Sequence, residues 1–310
     1  MTDAPTNLTD TSTWLPLDGL APGFDANRAP HTTALAGRDI TIVDGRGTRI
    51  RHLFGETGLH WSYTPGEGDE TPAQDDDDDY IAFEVADGLY FAQFHHRGNP
   101  MEAVSLVLDL RDGRALSVIS LLGEAAEGRT AVQQFFVPAV IEGAETRGAA
   151  ACQTTELIGR RALWVYSSVH AYEHVYLSPQ WYTWQCLGGP ERGQADTDEC
   201  STWQVRPGIY IFAWREKVIP CASVTIADHR NINHMRSHGV LFGYDESGTE
   251  PVHFTFGAYG RLLSTTVHPA QYDPAGVGDR AAGETEATAG PATAQDAVSG
   301  VAGAGAWSMR

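Results

Sequence analysis

From about residue 36 to residue 273 the chain alternates apolar and polar side chains in short runs. Clusters of Gly, Pro, Asn and Asp bound the runs, which is the period-two signature of β-strands. In the first half the runs are YIAFEVA (80–86), LYFAQFHH (89–96), AVSLVLDL (103–110) and ALSVISLL (115–122). In the second half they are ALWVYSS (162–168), YTWQCL (182–187), IYIFAWREK (209–217) and ASVTIADH (222–229). Helical stripes are scarce. Residues 127–145, EGRTAVQQFFVPAVIEGAE, are the one stretch that admits a helix or a linking segment.

The runs repeat. FEVADGLYFAQFHHRGNPMEAVSLVLDL aligns with WQVRPGIYIFAWREKVIPCASVTIADH. Phe83 meets Trp203, Val85 meets Val205, Gly88 meets Gly208, and Leu89-Tyr90 meets Ile209-Tyr210. Phe94 meets Trp214 and, after one gap, Asp109 meets Asp228. Each copy is preceded by an aromatic strand (LHWSY, WYTWQC) and an acidic or Gly-rich segment. The alignment describes a duplicated unit of about 120 residues. A unit of six to eight antiparallel strands hides its edges by curling into a barrel, and an eight-stranded barrel can hold one small ligand.

Four regions follow: a flexible N-terminal segment (1–35), a first barrel (36–145), a second barrel (146–273) and a disordered Ala/Gly/Thr-rich tail (274–310). The chain of 310 residues is 42% hydrophobic with a formal net charge of −19. The charge repels phosphate backbones and anionic bilayers, so neither nucleic acid nor membrane is an expected partner. No apolar run reaches the ~18 residues of a membrane span, and residues 1–27 lack a basic, apolar leader. The cytoplasm is therefore the expected location, with four reduced thiols. A homodimer remains open.

The run YEHVYLSPQWYTWQCLGGPERGQADTDEC, followed by IYIFAWREKVIP, resembles the C-terminal domain of the MoaF family, labelled molybdenum cofactor biosynthesis protein F. The resemblance extends over about residues 159–257. In the first half it rests on GLYFAQFHH. It implies an all-β fold of two tandem lipocalin-like (calycin) antiparallel barrels. An accessory role in molybdenum cofactor metabolism follows from the family label alone.

Candidate chemistry concentrates in the second copy. Side chains on a strand alternate faces, so Tyr210, Phe212, Trp214 and Glu216 share one face, and Ile209, Ile211, Ala213, Arg215 and Lys217 share the other. Three rings and one ionisable group suit a small-ligand pocket, with Arg215 a further substrate contact. Burying Arg215 and Lys217 unpaired would be costly, so the even face is expected to point inward, and enclosure should raise the Glu216 pKa. In the first copy the corresponding face carries Tyr90, Ala92, Phe94 and His96. Tyr172, His174 and Tyr176 share a face, and His174 is a ready acid or base. The expected catalytic residues are His174, Glu216 and Tyr210; Tyr172, Tyr176, Trp184, Phe212, Trp214 and Arg215 bind substrate. His170/His174 and His234/His238 are four apart but lie in strand sequence, where that spacing spans about 13 Å, so no metal is expected. The run Asp75 to Asp79 reads as a solvated acidic loop. Nucleotide, P-loop and GxSxG motifs are absent, and no cofactor is expected. The leading reading is a cofactor-independent lyase, isomerase or cyclase working by acid–base catalysis on a small hydrophobic or aromatic molecule. The alternative is a lipocalin-like binding protein without turnover.

Overall fold

A computed structural model describes residue 11, residues 14–126 and residues 129–276. The tail beyond residue 276 lies outside the described residues. The first barrel is a closed antiparallel meander of β1 (Asp39–Asp44), β2 (Arg49–Phe54), β3 (Gly58–Thr64), β4 (Gln74–Ala86), β5 (Leu89–His95), β6 (Glu102–Asp109), β7 (Arg114–Leu122) and β8 (Val132–Ile141), with β1 pairing β8. After the two-residue β9 (Cys152–Gln153), the second barrel repeats the meander. Its strands are β10 (Arg160–Val165), β11 (Ala171–Tyr176), β12 (Trp181–Gly188), β13 (Ala195–Arg206), β14 (Ile209–Arg215), β15 (Cys221–Asp228), β16 (Met235–Tyr244) and β17 (Pro251–Thr265). It closes through β10–β17, and β12–β13 completes the ring.

The duplication holds at register level. The β4–β5 and β13–β14 hairpins both turn at a glycine with positive φ, Gly88 at 65° and Gly208 at 76°, a conformation that costs glycine little. Leu89 pairs with Asp109 as Ile209 pairs with Asp228.

Three expectations need correction. Residues 132–141 form β8, because the apolar, β-branched and aromatic side chains of VQQFFVPAVI suit a pleated sheet. The aspartate run at 75–79 lies within β4, where cross-strand pairing to β3 holds it extended. From Trp14 onward the N-terminal segment is packed rather than flexible. It contains the single helical turn α1 (Leu17–Leu20), and Leu17, Phe24 and Leu35 are buried. Full burial of such a side chain is worth roughly 1.5–3 kcal/mol.

The inner faces form two separate cores. Tyr210, Phe212, Trp214 and their neighbours fill the second barrel, while Tyr90, Phe94 and Leu106 belong to the first. A third cluster joins the outer faces: Phe83, Leu89, Phe91 and Val107 of one barrel meet Ile209, Ile211, Val224 and Ile226 of the other. Both faces of β5 and β14 are therefore buried, which is why these strands read as nearly continuous apolar runs. No helix among the described residues is long and apolar enough to cross a membrane.

Candidate functional site

The even face of β14 points inward, as parity predicts. Trp214, Glu216, His174, Tyr172 and Trp184 line one cavity in the second barrel, but it measures only about 40 Å³, room for a water or two. His174 sits among Tyr182, Trp214 and Phe212 at ring distances of 5.2, 5.6 and 5.9 Å. Burial pushes its pKa down to about 3, and its Nδ1 has no partner. Burial, reinforced by Asp198, lifts Glu216 to about 8, and the Trp214 indole donates to its carboxylate at 3.1 Å. The Tyr172 hydroxyl donates to Glu191 at 2.7 Å.

Two expected residues stand apart from Glu216. Tyr210 lies six residues along the strand, about 20 Å away at strand rise, with its hydroxyl on Glu156 and its ring on His229. Arg215 faces outward into the seam between barrels. There it donates to Gln134 at 2.9 Å and Ser201 at 3.2 Å and pairs with Glu199, and these supply the polar partners that a buried guanidinium needs. Arg215 therefore does not contact a ligand in the barrel. Phe212 and Tyr176 border a second, smaller void beside His174.

The open lumen belongs to the first barrel. A cavity of about 570 Å³ is lined by Ile50, His52, Trp61, Tyr63, Phe94, His96, Glu102, Val104, Ser117 and Ile119 among others. It adjoins a further 340 Å³, sharing Ile50, Tyr63, Ser117 and Ile119 and extending to Val137. These sizes suit one small molecule, and the walls are mostly apolar with a few converging polar groups.

Those polar groups form a line. Asp78, fully buried, accepts the Trp61 indole N–H at 2.8 Å, the Arg97 amide at 2.8 Å and His96 Nδ1–H at 2.7 Å. The carboxylate orients the ring through Nδ1, so that Nε2 is the nitrogen left to face other groups. Glu102 Oε1 lies 3.8 Å from Nε2. Burial raises the Glu102 pKa, opposed by His96 and by the Asn99 amide that donates to it at 3.1 Å. A base and a weakened acid thus stand side by side. On the adjacent wall His52 is held neutral by burial, its pKa near 4, with an unpartnered Nδ1.

The second barrel has the same shell at the same register. His52 pairs with Trp61 across strands as His174 pairs with Trp184. Asp198 accepts the Trp184 indole at 2.8 Å and the Lys217 amide at 3.1 Å, as Asp78 accepts Trp61 and Arg97. Glu216 takes the place of His96, and Cys221 that of Glu102. Sequence reasoning put His96 on the inward face but passed over Asp78, His52, Trp61 and Glu102. The repeat offset of 120 residues that joins Asp78 to Asp198 was the signal available.

The MoaF N-terminal domain family matches residues 12–124, and the MoaF C-terminal domain family matches residues 151–266. The chain is 31% identical over 281 residues to Protein MoaF of Klebsiella aerogenes, covering 84% of this chain and 99% of that protein. Among solved structures, a putative beta-lactamase from Burkholderia vietnamiensis covers 36% of this chain and all of its own, at 16% identity and TM-score 0.30. A protein of unknown function from the DUF3598 family of Nostoc punctiforme covers 72% of this chain and 93% of its own, at 12% identity and TM-score 0.35. Likenesses this distant carry no argument about function.

Proposed function

The chain belongs to the MoaF family, and from that premise we propose that it binds a small, largely apolar molecule in the first barrel and moves a proton on it between His96 and Glu102. The carrying observation is the Asp78–His96–Glu102 line opening onto a cavity of about 570 Å³. His96 Nε2 removes a proton from an activated carbon, and the C–H electron pair moves into the adjoining conjugated system. Glu102, protonated, delivers its proton to the far end of that system. The product is an isomer, so no oxidant or leaving group is required. At 3.8 Å the imidazolium can return its proton to the Glu102 carboxylate, directly or through one water, and so reset the pair. The second barrel remains closed in this state.

Two measurements test the reading. N-phenyl-1-naphthylamine, a neutral aromatic fluorophore, should bind one per chain in the first barrel, and Ser117→Trp, which fills the lumen, should remove that equivalent. In D₂O the protein should exchange deuterium into members of a panel of enolisable, conjugated ketones, and His96→Gln should slow this by about 100-fold or more. A stoichiometry that Ser117→Trp does not lower removes the cavity from the mechanism. Exchange that survives His96→Gln, or is absent from the whole panel, leaves a carrier without turnover. Family membership also supports an accessory role in molybdenum cofactor metabolism. Displacement of the fluorophore by a pterin would favour that role.

A further inference from the structure

The two barrels differ in occupancy more than in chemistry. The shared shell of His, Trp and Asp surrounds about 570 Å³ in the first barrel and about 40 Å³ in the second. The difference is filled from outside the barrel. Trp14, Leu17, Leu20 and Phe24, which precede the first barrel in sequence, line the mouth of the second. Trp14 meets the Trp184 ring edge-on at 5.5 Å, and Phe24 stacks on Tyr166 at 4.4 Å.

This strap is unevenly fastened. Its C-terminal end is tied firmly: Asn27 donates its amide to Tyr166 O and its side chain to Val165 O, both at 3.0 Å. Arg236 donates to Asn27 O, and Arg28 donates to Thr255 at 2.9 Å. Between Trp14 and Phe24 the polar ties among the described residues are few. The Glu246 amide donates to Asp18 at 3.2 Å, the Leu15 backbone bonds Glu191, and the Gly23 backbone bonds the His170 ring. The remaining hold is apolar contact, so the segment can swing from residues 25–28 without breaking the second barrel.

We propose that the second barrel is a second ligand site, with residues 14–24 as its displaceable occupant, and that it takes an uncharged, planar aromatic molecule of the class assigned to the first. The class of ligand rests on the first-barrel reading; the location rests on the strap. The occupant itself describes the ligand, since Trp14, Leu17 and Phe24 present rings and branched carbon to the shell. An anion is disfavoured beside Glu216, Glu191 and Asp198, and a compact neutral ring system needs no counter-charge. With His96 replaced by Glu216 and Glu102 by Cys221, no imidazole is bonded to the shell aspartate as His96 is to Asp78, so the site holds its ligand without turnover.

The test uses the full chain and N-phenyl-1-naphthylamine. Leu17→Ser combined with Phe24→Ser should raise the stoichiometry from one per chain to two, and adding Ser117→Trp should return it to one. Two equivalents on the unmodified chain, one surviving Ser117→Trp, would also uphold the site. One equivalent in both the unmodified and the strap-altered chain would overturn it. None on the unmodified chain but one on the strap variant would uphold the second site while sinking the first-barrel reading. Should the strap variant fail to fold, amide exchange decides with the native strap. In Ser117→Trp at saturating fluorophore, the Leu20 and Ala21 amides, bonded to Pro16 and Leu17 carbonyls, should exchange at least fivefold faster. Unchanged exchange there overturns the proposal.

Discussion

Glu216 shows how one side chain's surroundings set its charge. Its pKa of about 8 has burial as the main cause and the nearby Asp198 carboxylate as the next. An ordinary glutamate titrates near 4.5. Above that pH the unfolded chain has lost this proton, while the folded chain keeps it to about pH 8. Folding stability from this group therefore falls as pH rises from about 4.5 to about 8, and is flat beyond. Glu216→Gln removes the penalty. In urea titrations the variant should gain on the unmodified protein between pH 5 and pH 9, by an amount on the order of a few kcal/mol. Parallel pH curves would mean that the carboxyl is ionised and solvated in the fold. Inward placement of this residue was legible from parity alone, because the odd face carried Arg215 and Lys217. Asp78 was illegible for the opposite reason. Five consecutive aspartates look solvated, and only the β3–β4 pairing shows that the fourth turns inward beneath Trp61.

At the level of elements, the β13–β14 hairpin is bolted to the first barrel at its turn. Arg206 makes a two-pronged bond to Asp109 on β6, both contacts 2.6 Å, and donates to Asp87 O at 3.1 Å. Both side chains are about 95% buried. Removing one partner strands the other charge, so Arg206→Ala should cost roughly 3–5 kcal/mol in thermal or urea unfolding. Arg206→Lys should recover little, because an ammonium cannot span both oxygens. A loss below about 1 kcal/mol for Arg206→Ala would show that water reaches the Asp109 carboxylate. The sequence alignment paired Asp109 with Asp228, and the register agrees. Their fates diverge: Asp228 pairs with the exposed Arg230, whereas Asp109 lies in the seam. Periodicity finds strands because it is local. It cannot tell which outward faces meet a second barrel, and continuous runs such as LYFAQF were the only trace of that.

The whole molecule is two closed barrels fused by apolar outer walls, with Phe136 stacked on Trp203 and Phe83 on His238 across the seam. Neither barrel can leave the other without exposing Ile209, Ile211, Leu89 and Phe91. Unfolding should therefore be a single transition seen alike by tryptophan fluorescence and far-UV circular dichroism. Ile211→Asp, which puts a carboxylate into the seam, should lower the midpoint of both signals together. Two separated transitions, or a melt confined to one signal, would show that the barrels are energetically independent. The tandem repeat of one barrel unit was legible from the duplication, but its strand count was read only as six to eight, because β8 looked like a helix or linker and the start of β4 like a loop. The empty first lumen and filled second lumen were not legible, since the strap closing the second comes from the far end of the chain.

The position of that strap has a consequence for the order in which the ribosome delivers the molecule. Residues 14–28 emerge well before Thr255 and Arg236, which hold them and lie some 200 residues further along the chain. At about 5–20 residues per second, their docking partner arrives roughly 10–50 s later. During that interval the first barrel can close by itself, while Trp14, Leu17, Leu20 and Phe24 remain without the second barrel that buries them. Docking of the strap then waits on β17, so a product truncated before β17 would display these side chains permanently.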